Sequence, residues 1–90
     1  MITVFKYRIG LCINQTELPV GAEILSLGFQ GKEFFMWVKV DTEAATEIRR
    51  FYVFGTGAEI PQNTGTYYNF IGTGHMDIGL VFHVFEKLGL

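Results

Sequence analysis

Ninety residues carrying a formal net charge of −2, with 49% hydrophobic and 18% charged side chains, describe one small β-rich domain spanning residues 1–90, with no room for a second core. The weakly acidic balance and scattered cations exclude a duplex nucleic-acid partner, and the single Cys12 excludes an intrachain disulfide and suits a reducing compartment. No segment approaches the ~20 apolar residues of a spanning helix, and the opening MITVFKYRIG lacks the continuous apolar core of a secretory signal, so a cytoplasmic protein with no membrane partner is expected.

In chain order, Thr3–Ile9 alternates Phe5, Tyr7 and Ile9 against Val4, Lys6 and Arg8, the pattern of a half-buried strand. Leu18–Glu23 (LPVGAE) reads as a turn, because Pro19 presets its own φ and Gly21 tolerates a positive one. Glu23–Gln30 and Lys32–Val40 form two runs hinged at Gln30-Gly31, an antiparallel hairpin. The second run is apolar on both faces, Phe34, Met36, Val38 and Val40 on one and Phe35 and Trp37 on the other, which predicts a central strand.

Asp41–Glu47 is the only helix-like stretch and is too short to stand alone, so it reads as a polar loop with at most one helical turn. Ile48–Phe54 is a further strand, and Ala58–Gly65 is loop by its Pro, Asn and Gly content. Thr66–Ile71 and Gly79–Leu88 complete the set. About six short strands with turn signals between them predict an all-β fold, a small antiparallel sandwich or partly closed barrel. So much apolar surface on so small a chain predicts a homo-oligomer or a partner surface.

Catalysis is poorly provisioned. Ser26 is the only serine and sits mid-strand, no triad or zinc-protease spacing occurs, and Asp41, Glu43 and Glu47 read as a solvated loop. No cofactor motif is present, and His75-x-Asp77 offers two metal ligands without a third. Cys12 reads as a small buried residue, and His83, on the face of Val81 and Phe85, as a partly buried imidazole satisfied by hydrogen bonds.

Binding chemistry has better candidates. The tripeptide GTG occurs at Gly55-Thr56-Gly57 and again at Gly72–Gly74, and glycine-rich turns can aim successive N–H groups at an anion. The alternative is that glycines merely turn the chain, and Gly72–Gly74 is read as the turn into the last strand. Arg49 and Arg50 are the only adjacent cations, and as strand neighbours they point to opposite faces, so one of them serves any given site. Tyr52, Tyr67, Tyr68 and Trp37 have polar handles and suit stacking on a base, and His75 follows the second GTG.

The blocks RRFYVFGTGAEIP and LVFHVFE, with Thr3–Tyr7, Pro19, Gly21–Ala22, Ile24–Ser26 and Trp37 before them, resemble a family of uncharacterised small bacteriophage and prophage proteins. In that family a histidine commonly follows the first GTG, whereas Ala58 stands there here. The resemblance implies a phage-type accessory protein acting in the cytoplasm of an infected bacterial host, and it implies no chemistry. Counter-defence proteins of that class include sponges for nucleotide immune signals. The resulting expectation is a non-enzymatic protein that sequesters a phosphorylated ligand of the cyclic-nucleotide or ADP-ribose type. Its ligand residues would be drawn from Arg49, Arg50, Gly55, Thr56, Gly57, Trp37, Tyr67, Tyr68 and His75. The alternatives are a protein that blocks a host defence or CRISPR component, and a virion accessory or structural protein.

Overall fold

The computed structural model describes residues 1–89. Seven strands follow one another: β1 (Ile2–Ile9), β2 (Ile13–Pro19), β3 (Glu23–Gln30), β4 (Glu33–Asp41), β5 (Thr46–Gly55), β6 (Thr66–His75) and β7 (Val81–Gly89). They pair antiparallel throughout in two sheets, of order β1-β4-β3 and β2-β5-β7-β6. The described residues contain no helix, hence none long and apolar enough to cross a membrane. The molecule is a slab of 39 × 36 × 15 Å, two sheets thick.

Alternation builds the core. Phe34, Met36, Val38 and Val40 from β4 meet Phe51 and Val53 from β5 and Val84 from β7, with Ile9 and Leu18 closing the layer. β4 is central, as its apolar run predicts: one face carries the core and the other, with Phe35 and Trp37, is half-covered by side chains of the flanking strands such as Lys6. The β3–β4 hairpin turns at Gly31-Lys32 with Gly31 at φ 63°, and the turn after Pro19 uses Gly21 at φ 82°. Of the expected Asp41–Glu47 loop only residues 42–45 lie outside the strands, as a turn without helix: the Asp41 carboxylate accepts the N–H of Glu43, and the Asp41 carbonyl accepts that of Ala44.

Three local expectations are corrected. β2 is a strand over INQTELP, which has no apolar alternation, and it takes up Leu18 and Pro19, so that the expected Leu18–Glu23 turn shrinks to residues 20–22. It is an edge strand that contributes one fully buried side chain, Leu18, while Asn14 donates to the carbonyls of Gly10 and Phe51. Cys12 is exposed rather than buried, because it lies in the bend between β1 and β2, where its carbonyl accepts the N–H of Val53 and the thiol is left outside.

The third correction concerns Gly72–Gly74, which is not a turn but the interior of β6, paired to β7 at Gly72↔Val84 and Gly74↔Phe82. A Cβ on Gly74 would overlap the ring of Phe34, and one on Gly72 would come within 2.9 Å of Leu27. These glycines are the flat patch of backbone on which the other sheet rests. The chain reverses instead at Met76–Leu80, with Gly79 at φ 88°.

Candidate functional site

The two adjacent arginines separate across the four-stranded sheet. Arg49 points inward, with Nε and Nη2 on the Glu86 carboxylate at 2.7 and 2.8 Å and Nη1 on the Ala22 carbonyl at 2.6 Å. The hydrogen bond to Glu86 raises its pKa above the usual arginine value, and Coulombic attraction to Glu86 and Glu47 adds to this against the opposing effect of burial. Its fork therefore ties β5 to β7 and to the residue that leads into β3. Three of its five N–H groups are thereby engaged within the protein.

Arg50 points outward, directly opposite Lys87 on β7, which in turn stands opposite Tyr68 on β6. Gln15 of β2 completes this row on the other side of Arg50. The next row on the same face is Ile13, Tyr52, Phe85 and Phe70, and the one after that holds Phe54, His83 and Thr73. Period-two alternation brings these residues from four strands onto one surface, with successive rows about 7 Å apart.

The rings interlock there. Tyr52, Phe54, Tyr68 and Phe85 meet edge-on or tilted at centroid distances of 5.9–6.4 Å, and Phe70 joins through Phe85 at 5.4 Å. The Lys87 ammonium lies 5.4 Å from the Tyr52 ring centre. Arg50 and Lys87 are like charges directly across a ladder, which by itself is unfavourable. Among the described residues, neither has a carboxylate within ion-pair distance. A shallow cleft of about 410 Å³ opens beside them, in which Arg50 and Lys87 are joined by the Arg49–Glu86 pair and by Glu47. The face thus joins a concentrated positive charge to a bed of aromatic rings.

The first GTG lies elsewhere. Thr56 is six residues from Arg50 along an extended chain, roughly 20 Å away, so neighbours in sequence do not form one cradle. The Thr56 N–H donates to the Val81 carbonyl and the Ala58 N–H to that of Gly55, closing a turn with Gly57 at φ 88°. The turn instead latches onto β7. His83 Nε2 lies 2.8 Å from Thr56 Oγ1, and Nδ1 lies 3.0 Å from Thr73 Oγ1. A neutral imidazole donates at one of these two contacts and accepts at the other, so both ring nitrogens are engaged by hydroxyls. The two GTG threonines meet on one histidine, which is satisfied as its sequence position suggested.

The remaining sequence candidates are dispersed. Trp37 lies on the outer face of the three-stranded sheet beside Phe35, with its ring over Gly28. Tyr67 is exposed and opposite Leu88, on the other side of β6 from Tyr68. His75 is exposed at the end of β6, far along the strand from Tyr68. Only Arg50 and Tyr68 of the expected set come together.

Lys87, Phe85, Phe54 and Phe70 carry no individual signal in the sequence, although period-two parity with His83 puts Phe85 and Lys87 on its face. Glu86 had a signal too, since a lone carboxylate on the Phe82 and Val84 face requires a buried cation. No curated protein and no solved structure shows significant similarity to the chain. Residues 1–89 match the family described as a domain of unknown function, DUF7352, and the chain belongs to that family.

Proposed function

We propose that this protein is a non-enzymatic binding protein that captures a phosphorylated nucleotide on the outer face of its four-stranded sheet. The observation that carries the reading is the Arg50–Lys87 pair at the head of the aromatic rows. An anion between two facing cations would relieve their repulsion, and Arg50 can grip a phosphate through its fork while Lys87 adds a point charge. Tyr68 in the same row, and Tyr52 and Phe85 one row away, then offer ring surface to a base, a division of labour common to proteins that hold single nucleotides or strands.

In this reading the ligand is of the cyclic-nucleotide or ADP-ribose type. The protein holds it without turnover, as a phage-type sponge for an immune signal would in the host cytoplasm. Calorimetry against cyclic dinucleotides, ADP-ribose derivatives and inorganic phosphate tests it. Binding of the nucleotides, with intact ligand recovered after heating the complex, supports the reading, and absence of heat across the panel removes it.

A second reading, a protein-blocking inhibitor, is favoured by the opposite end of the slab. There the β3–β4 and β6–β7 turns enclose an apolar recess of about 510 Å³ lined by Met76 and Ile78, the latter 76% exposed. A host protein retained through that end, and lost on Ile78→Asp, would favour it.

A further inference from the structure

Four strands lie at sheet edges: β1 and β3 in one sheet, β2 and β6 in the other. Soluble β proteins blunt such edges with bulges, prolines or outward charges, since an unpaired ladder invites another strand. β3 is broken by a bulge between Ile24 and Ser26, and β6 by one between Phe70 and Gly72. β2 carries Glu17 and ends in Pro19. β1 differs from all three. It pairs with β4 without interruption from Ile2 to Ile9 and contains no proline or glycine.

The one cation placed mid-way along β1 does not guard it. Lys6 reaches back across its own sheet, with Nζ 4.5 Å from the Phe35 ring centre on β4 and 3.0 Å from Gln30 Oε1 on β3. Along the same strand Ile2, Val4 and Phe5 are 61%, 48% and 45% exposed. Phe5 is the telling one. It is paired with Val38, whose side chain is fully buried, so it lies on the core side of the sheet yet protrudes uncovered at the edge.

We infer that β1 is the docking edge for a second copy of this chain, joined antiparallel about a two-fold axis at Phe5. That register sets Phe5 against Phe5 of the second copy, Thr3 against Tyr7, Val4 against Lys6 and Ile2 against Arg8. All are same-parity pairs, so core side continues into core side and outer side into outer side. No like charges face one another directly. Centring the axis on Lys6 would oppose the two Lys6 side chains, and centring it on Val4 would shorten the ladder and leave Arg8 unpaired. The product is one continuous six-stranded sheet in which each Phe5 covers the other. The inference is independent of what the aromatic face binds.

The test is the mass in solution by light scattering over about 1–200 µM, a range suited to a small interface, for wild type, Val4→Lys and Val4→Glu. Val4 is on the outer side, so folding is checked by circular dichroism and is expected to be unchanged. Wild type reaches twice the 10.2 kDa chain mass. Val4→Lys, facing Lys6 of the second copy at two symmetry-related places, weakens the dimer about tenfold or more, and Val4→Glu strengthens it. In a Cys12→Ser background, Phe5→Cys crosslinks on mild oxidation, because directly opposed strand residues fall within disulfide reach. A monomer throughout the range overturns the inference. So does a dimer that ignores both Val4 changes and leaves Phe5→Cys uncrosslinked, which would place the contact on another face.

Discussion

Arg49 and Glu86, 37 residues apart in sequence, form a two-pronged ion pair between β5 and β7 on the core side of the four-stranded sheet, with Nε–Oε2 at 2.7 Å and Nη2–Oε1 at 2.8 Å. The side chains are 18% and 9% exposed, so removing one partner strands the other's charge in a mostly dry layer. Arg49→Ala or Glu86→Ala is expected to cost about 3 kcal/mol in urea unfolding, the usual scale for breaking such a pair. Arg49→Met with Glu86→Leu should cost much less than the sum of the single changes. Additive losses would mean that the two side chains act separately.

Gly74 and Gly72 share a tripeptide motif but differ in what a methyl group meets. The Phe34 ring that blocks Gly74 is itself stacked on Phe29 at 4.3 Å and cannot step aside, whereas Leu27 beside Gly72 can change rotamer. Gly74→Ala should therefore destabilise by about 2 kcal/mol or more and Gly72→Ala by clearly less. Gly57→Ala has open space but a φ of 88°, and should cost about 1 kcal/mol through the backbone alone. Thermal melts of the three variants rank them directly. Equal losses at Gly72 and Gly74 would contradict the packing account.

His83 holds the first GTG turn to the sheet through Thr56 and is held in turn by Thr73. Thr56→Val and Thr73→Val should each cost about 1 kcal/mol, the net worth of one hydrogen bond. Thr56→Val should also speed amide exchange in Gly55–Ala58 while leaving β5 protected elsewhere. Unchanged exchange at that turn would show that the Thr56 N–H bond to Val81 holds it alone.

Cys12 lies outside the core in the β1–β2 bend. It should react with a thiol reagent in the native protein without waiting for unfolding, so its labelling rate should not fall as stability is raised. A rate that tracks global unfolding would return Cys12 to the interior.

These relationships show which parts of the protein are legible locally. β1 is written in period-two alternation and β3, β4, β5 and β7 in apolar runs between turn signals, and the two apolar faces of β4 announce its central place. β2 escaped because an edge strand with one buried leucine needs no alternation. The second GTG reads as a turn because glycine is the default turn residue. Its actual reason, Phe34 lying across bare backbone, comes from the other sheet.

The Arg49–Arg50 pair was correctly split by parity, but which arginine faces inward depends on Glu86, a non-local partner. The binding face was half legible for the same reason. Arg50 and Tyr68 carry signals of their own, whereas Lys87 becomes a site residue only when β7 is placed between them.

The central claim is that Arg50 and Lys87 hold an anionic group at the head of the aromatic face. Its most direct test is an amide-shift titration of wild type and Arg50→Glu with a nucleotide that binds in calorimetry. The account predicts shifts concentrated at Arg50, Tyr52, Tyr68, Phe85 and Lys87, and at least tenfold weaker binding by Arg50→Glu with the fold intact. Shifts centred on Gly55–Gly57 or Trp37, with Arg50→Glu binding as wild type does, would contradict it.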